Sequence, residues 1–189
     1  MKKFFCIIIF SIFLSACNSI SEYEQVHNNV LEFEKYNYEM EFTVISNKNR
    51  NNYKVKVISV DKNCCQVEFL EPDNIRRIIT KYNYNGVVQE NTKIGDNIIL
   101  DEAERFEYNV LLLSNFKQIY MKQDEVQITK LTNGDYKIEL GIPNGKYYFS
   151  KQKIIFDAKD KRPAEIIVYD KDGRKTIEGK ITYEGKSNS

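Results

Sequence analysis

Few residues in this sequence can do chemistry, and most of them stand alone. His27 is the single histidine, with no second one to complete a zinc triad or a His–Cys arrangement. It reads as a surface residue of an N-terminal helix. The 27 Asp and Glu residues leave a carboxylate-only glycosidase open on composition, but no two stand out as partners, and most fall at alternating solvent positions. There is no G-x-S-x-G elbow, H-E-x-x-H pair, Gly-rich phosphate loop or C-x-x-C pair, each of which would tie a spacing to a mechanism. The expectation is a protein with no catalytic residue, no metal ligand set and no cofactor of its own.

The cysteines separate by position. Cys6 lies in an apolar leader, Cys64 and Cys65 are adjacent, and Cys17 follows Leu14-Ser15-Ala16. Adjacent strand residues point to opposite faces, so Cys64 and Cys65 read as small apolar residues of a sheet instead of a redox pair. Cys17 has a different chemistry. Lys2 and Lys3 precede an apolar run from Phe4 to Leu14 and a small-residue cleavage site, which is the order of an export signal. The run falls short of the roughly 20 apolar residues that a membrane span needs. With Cys immediately after the small residues, the motif has the form of a bacterial lipobox: cleavage before Cys17 and a diacylglycerol on its thiol. The expected organisation is a signal peptide at 1–16, a lipidated tether at 17–21 and one domain at 22–189. The product would be exported and held through its lipid on the outer face of a membrane, acylation by more than one chain making the anchor durable.

Removing residues 1–16 leaves 173, enough for a sizeable core. Of 28 Lys and Arg, Lys2 and Lys3 leave with the signal, so 26 basic residues face 27 acidic ones. That balance gives no footprint for nucleic acid.

The elements that would position any site follow from periodicity. Tyr23, Val26, Val30 and Phe33 recur at helical spacing from Glu22 to about Lys35, with Ser19 or Ser21 available as a cap. From Tyr36 the pattern becomes alternating: Tyr38, Met40, Phe42 and Val44 on one face, then Tyr53, Val55 and Val57 with Lys54 and Lys56 between them. Asn-Gly pairs at 85–86, 133–134 and 144–145 and Asp-Gly at 172–173 suit tight hairpins. About eight to ten antiparallel strands are expected from candidate segments near 36–46, 52–61, 64–71, 75–84, 87–92, 97–100, 125–132, 135–142, 146–157, 164–171 and 174–183. A second helix is expected between Asp101 and Lys122, where Phe106, Val110, Leu113, Phe116, Ile119 and Tyr120 share a face. The fold class is α+β, an antiparallel meander curved into a half-barrel with helices on one face.

Two non-catalytic uses of such a sheet follow. The Tyr and Phe residues, among them Tyr82, Tyr84, Tyr147, Tyr148 and Phe149, pack the core or line an apolar groove between sheet and helix. The unpaired edges of an open sheet can accept a strand from another chain or from a second copy, so a homodimer is an expectation, with strand exchange as one route.

In order, these elements resemble the LolA/LolB/RseB-like lipoprotein-carrier fold. The likeness is carried by Val67-Glu68-Phe69-Leu70-Glu71-Pro72 followed by Ile78-Ile79 and Asn85-Gly86. It is carried also by the ending Phe156-Asp157, Arg162-Pro163-Ala164 and Tyr169-Asp170-Lys171-Asp172-Gly173. Unlike the carriers, this chain is itself expected to be lipidated, and its Lys-, Asn- and Ile-rich composition suits an AT-rich spore-forming bacterium. Within the fold it most resembles the GerS-type spore germination lipoproteins. That resemblance implies a mother-cell protein facing the forespore intermembrane space, where it binds and activates the zinc-dependent cortex N-acetylmuramoyl-L-alanine amidase CwlD so that muramic-δ-lactam is made. The zinc would belong to the partner. The alternative is a carrier of lipid or acylated protein. For a partner surface the C-terminal hairpin comes first: Arg162, Tyr169, Arg174 and Thr176 include the Arg and Tyr types enriched in energetic centres of interfaces.

Overall fold

A computed structural model describes residues 21–32, 37–61, 64–83, 86–100, 112–124, 126–143 and 145–183. The leader, Cys17, residues 18–20 of the tether, and Phe106 and Val110 of the expected second helix lie outside the described residues, as do Asn85 and Asn144 of the expected turns.

Helix α1 (Glu22–Glu32) is followed by strands β1 (Tyr38–Ile45), β2 (Arg50–Asp61), β3 (Cys64–Glu71), β4 (Ile78–Asn83), β5 (Gly86–Asn91) and β6 (Asp96–Leu100). Helix α2 (Leu113–Lys122) precedes β7 (Gln127–Lys130), β8 (Tyr136–Gly141), β9 (Lys151–Asp157), β10 (Arg162–Tyr169) and β11 (Lys175–Tyr183). All eleven candidate segments thus contain a strand, one more than the upper bound expected. The strands form one antiparallel sheet ordered β6-β5-β4-β3-β2-β1-β11-β10-β9-β8-β7. Two meanders are therefore joined where the last strand returns beside the first, with Met40 opposite Ile181 on one side and Val55 on the other.

Alternation sorts the faces. Tyr38, Met40, Phe42, Val55, Val57, Ile138, Ile154, Phe156, Ile166 and Val168 are buried on the inner face, each large aliphatic or aromatic side chain contributing about 1.5–3 kcal/mol by leaving water. Val26 and Val30 of α1 and Leu113, Phe116, Ile119 and Tyr120 of α2 join the same core, as their helical spacing predicts, although Leu112 is extended at φ −84° and ψ 130°, so the helix expected from Asp101 to Lys122 does not run through it. The outer face is charged: Lys54 lies 3.0 Å from Glu39 and 3.6 Å from Glu41.

Two strand boundaries differ from expectation. Residues 75–77 belong to the turn between β3 and β4, where the Ile78 amide donates to the Ile75 carbonyl at 2.9 Å. Residues 147–150 belong to a loop before β9, where the Phe149 amide donates to the Lys146 carbonyl at 3.0 Å. In both places local hydrogen bonds outcompete the ladder that β-prone side chains favour. The Asn-Gly and Asp-Gly turns at 133–134 and 172–173 form as expected, with Gly134 at φ 93° and Gly173 at φ 77°.

Candidate functional site

The sheet curves around an apolar cavity of about 330 Å³, lined by side chains of β1–β5 and β11 and, off the strands, by Ile75, Leu112 and Phe149. Its walls are the inward positions of successive strands: Phe42, Val55, Val67, Phe69 and Tyr82. Beside the tyrosines, Thr80 and Gln89 bring polar groups to its wall, the Gln89 amide donating to the Thr80 hydroxyl at 3.3 Å. Thr80 and Gln89 occupy inward positions in the alternation of β4 and β5, opposite one another in register. The alternation of β4 and β5 marks both positions as inward, a signal that their polar side chains mask. Tyr82 belongs to the buried core, Phe149 packs against it, and both also line the cavity, whereas Tyr147 and Tyr148 point to solvent, 45% and 56% exposed; Tyr84 lies outside the described residues.

The turns β1–β2, β3–β4, β8–β9 and β10–β11 all lie at one end of the strands. There the segment 145–150 is clasped to the β10–β11 turn. The Lys171 amide donates to the Tyr147 carbonyl at 2.9 Å and the Ser150 amide to the Tyr169 carbonyl at 2.8 Å. The Tyr147 hydroxyl donates to the Asp172 carboxylate, which holds the phenol above its ordinary pKa. Buried Asp170 accepts from the amides of Asp172 and Arg174 at 2.9 and 2.8 Å, fixing the turn. Beside this clasp a shallower depression is lined by Val44, Ile45, Tyr148 and Phe149, with Lys48 at its edge. Val44 and Phe149 also line the deep cavity, so the two are neighbours through shared walls.

The four hairpin residues are not one cluster. Tyr169, Arg174 and Thr176 lie around the β10–β11 turn, and Arg162 lies at the far end of β10. The Arg162 guanidinium stands 4.0 Å from the centre of the Tyr183 ring and 3.9 Å from Asp160. Burial pushes the Tyr183 phenol well up, with the Arg162 charge acting in the opposite sense. Tyr169 carries the Lys153 ammonium 5.5 Å from its ring centre, and Arg174 is exposed beside Asp172 at 3.7 Å. Thr176 is buried; its hydroxyl donates to the Tyr148 carbonyl at 2.8 Å, so it ties down the loop from within.

His27 lies on the exposed side of α1, yet its Nδ1 is 2.8 Å from the buried Tyr120 hydroxyl, a link between the helices that spacing does not reveal. At the other end of α1, Glu22 meets Lys130 at 2.6 Å and accepts from the Tyr136 hydroxyl at 3.2 Å. Cys64 and Cys65 are free thiols, and burial pushes the Cys65 thiol up to about 12. Among the described residues no three His, Cys, Asp or Glu side chains gather as a metal site, and no helix is long and apolar enough to cross a membrane. The edge strand β6 presents Ile98 and Ile99 to solvent, 61% and 76% exposed, on opposite faces of the strand.

A family model described as sporulation protein YdcC-like matches residues 1–187. No curated protein matches the sequence. Among solved structures, the fold is similar to a chain in the structure of the CwlD amidase from Clostridioides difficile in complex with the GerS lipoprotein. Identity there is 23% and the TM-score 0.54, over 88% of this chain and 94% of that one. It is also similar to an uncharacterized conserved protein from Thermus thermophilus, at 12% identity and TM-score 0.53 over 88% of this chain and 90% of that one. A LolA superfamily protein from Nitrosomonas europaea aligns at 11% identity and TM-score 0.46, over 85% of this chain and 90% of that one. At such identities the likeness speaks for the fold alone.

Proposed function

The chain belongs to the sporulation protein YdcC-like family, and from that membership we propose that it is an exported, non-catalytic lipoprotein of spore formation whose work is to bind and activate a cortex amidase. The match along residues 1–187 is the observation that carries the reading. The partner takes its direction from the similarly folded chain in the complex of the CwlD amidase with the GerS lipoprotein. By analogy the partner here is a zinc-dependent N-acetylmuramoyl-L-alanine amidase of the CwlD kind, acting where muramic-δ-lactam is made in cortex peptidoglycan. Lipidation of Cys17 would hold the protein on the outer face of the membrane, toward the forespore.

Activation without catalytic groups requires linkage. If the lipoprotein binds the zinc-loaded amidase about tenfold better than the empty enzyme, zinc affinity rises by the same factor in the complex. The β10–β11 hairpin is the element assigned to that contact, with Tyr169 and Arg174 toward its turn and Arg162 at the far end of β10, and Thr176 supports it by holding the neighbouring loop. The open β6 edge suits pairing with a second copy, by strand addition or exchange.

The test mixes the purified mature protein with the amidase and follows complex formation, zinc retention and δ-lactam precursor formation. A stable complex with raised zinc retention is expected; no complex and unchanged activity would refute the proposal. A deletion strain should lose muramic-δ-lactam from its cortex. One observation favours a second reading, a carrier of lipid or acylated protein: the cavity of about 330 Å³ is walled by apolar side chains. Acyl chains copurifying in native mass spectrometry, together with normal cortex chemistry in the deletion strain, would select that reading.

A further inference from the structure

Three neighbouring segments at one end of the sheet, 46–50, 145–151 and 170–174, have a one-sided charge. Lys48, Arg50, Lys146, Lys151, Lys171 and Arg174 are all exposed, and the acidic residues within these turns are Asp170 and Asp172. Both acids are engaged internally, Asp170 by the turn amides and Asp172 by Tyr147 and Arg174. The turns 131–135 and 158–161 at the opposite end are balanced, with Asp135 and Asp160 against Lys159 and Lys161. Those two turns thus lack the excess of positive charge carried by 46–50, 145–151 and 170–174.

In the middle of the basic end stand Tyr147 and Tyr148, edge to face with ring centroids 5.4 Å apart. Their backbone carbonyls accept from the Lys171 amide and the Thr176 hydroxyl, so both rings are presented on a pinned loop while the next residue, Phe149, turns into the cavity. The apolar depression of Val44, Ile45 and Phe149 begins at the foot of Tyr148.

We propose that this end is a docking face for an anionic bilayer, distinct from the lipid on Cys17 and adjoining the amidase contact, with which it shares Arg174. Exposed tyrosines flanked by Lys and Arg match the interface between headgroups and acyl chains, where an apolar ring and a polar hydroxyl are both accommodated. An apolar hollow behind them offers an acyl chain a place that neither a nucleic acid nor a soluble acidic polymer would use. Each basic residue near an anionic surface contributes about fivefold to partitioning, so the cluster suffices for reversible binding that salt weakens.

The test uses the purified chain lacking residues 1–17, which keeps every described element and removes the lipid. Cosedimentation with vesicles of phosphatidylglycerol in phosphatidylcholine should exceed that with phosphatidylcholine alone and decline as salt rises. The triple variant Lys146→Gln, Lys151→Gln, Lys171→Gln should lose on the order of a hundredfold in binding. Tyr147→Ser with Tyr148→Ser should weaken the remaining, salt-resistant part. Lys159→Gln with Lys161→Gln, in the turn at the opposite end of the strands, should bind as the unaltered chain does. Thermal melts confirm that each variant is folded. Equal binding to neutral vesicles, an unaffected triple variant, or the same loss from the distant pair would overturn the proposal. So would capture of the amidase by this face with no binding to vesicles, and because amidase binding is measured separately through Arg162 and Tyr169, the two readings fail independently.

Discussion

Gly179 of β11 lies directly opposite Phe42 of β1, and a Cβ added to it would stand 3.0 Å from the Phe42 Cβ, 3.2 Å from the Met40 sulfur and 3.3 Å from Ile166 Cγ2. The missing side chain lets three inward-facing residues of neighbouring strands close over the seam between the two meanders. Phe42 in turn stacks on Tyr53 with centroids 5.1 Å apart.

Gly179→Ala is therefore expected to destabilise the fold by about 1–3 kcal/mol, the usual cost of forcing a methyl group into a packed core. The urea midpoint measures it. Unchanged stability would mean that the seam repacks freely.

The Glu22–Lys130 pair makes stability depend on pH at both extremes. Hydrogen bonding to Lys130 holds the Glu22 carboxyl below its ordinary 4.5, so its contribution is present above 4.5 and disappears as pH falls through the lowered folded-state value. Lys130 is held above 10.5 by the same partner, so its share is present below 10.5 and lost as pH rises beyond the raised value. Denaturation of the Glu22→Gln variant should differ from that of the parent near neutrality and converge with it in acid; both ions are exposed, so salt should shrink the difference.

Cys65 is buried with its thiol pushed up to about 12, whereas Cys64 is part-exposed on the other face of β3. In the chain lacking residues 1–17, a thiol reagent at mildly alkaline pH should titrate one cysteine in the native protein and two in denaturant. Rapid modification of both in the native state would place Cys65 in a looser environment than the structure gives it.

Thr176→Val keeps shape and removes the hydroxyl that holds the Tyr148 carbonyl. A loss of about 1 kcal/mol is expected, with faster amide exchange in the segment 145–150. Arg162→Ala removes the cation from the Tyr183 ring and is expected to cost about 0.5–2 kcal/mol. Any effect of either variant on partner binding therefore has to be read against its melt.

The meander was legible because one face of most strands is buried, which forces alternation into the residue order: Tyr38, Met40 and Phe42, or Ile166 and Val168, declare themselves. Boundaries were less legible wherever a β-prone run is taken by a turn, as at Ile75 and at Tyr147-Tyr148, since side-chain preference carries no record of which amides find local partners. The pairing of β1 with β11 joins Tyr38 to Tyr183, and neither segment encodes its distant neighbour. Nor does spacing bring His27 to Tyr120, or the loop tyrosines to the β10–β11 turn. The candidate hairpin residues were chosen by type, and type alone could not tell that Thr176 faces inward.

The place of β11 also bears on how the molecule is made. Until Lys175–Tyr183 has emerged, β1 and β10 both stand as open edges and the inner layer is split in two, so a chain delivered from its N-terminus cannot consolidate early. Late consolidation of this sort favours passage through a translocation channel in an extended state, and a product cut short before Lys175 should remain two unjoined ribbons, open to proteolysis.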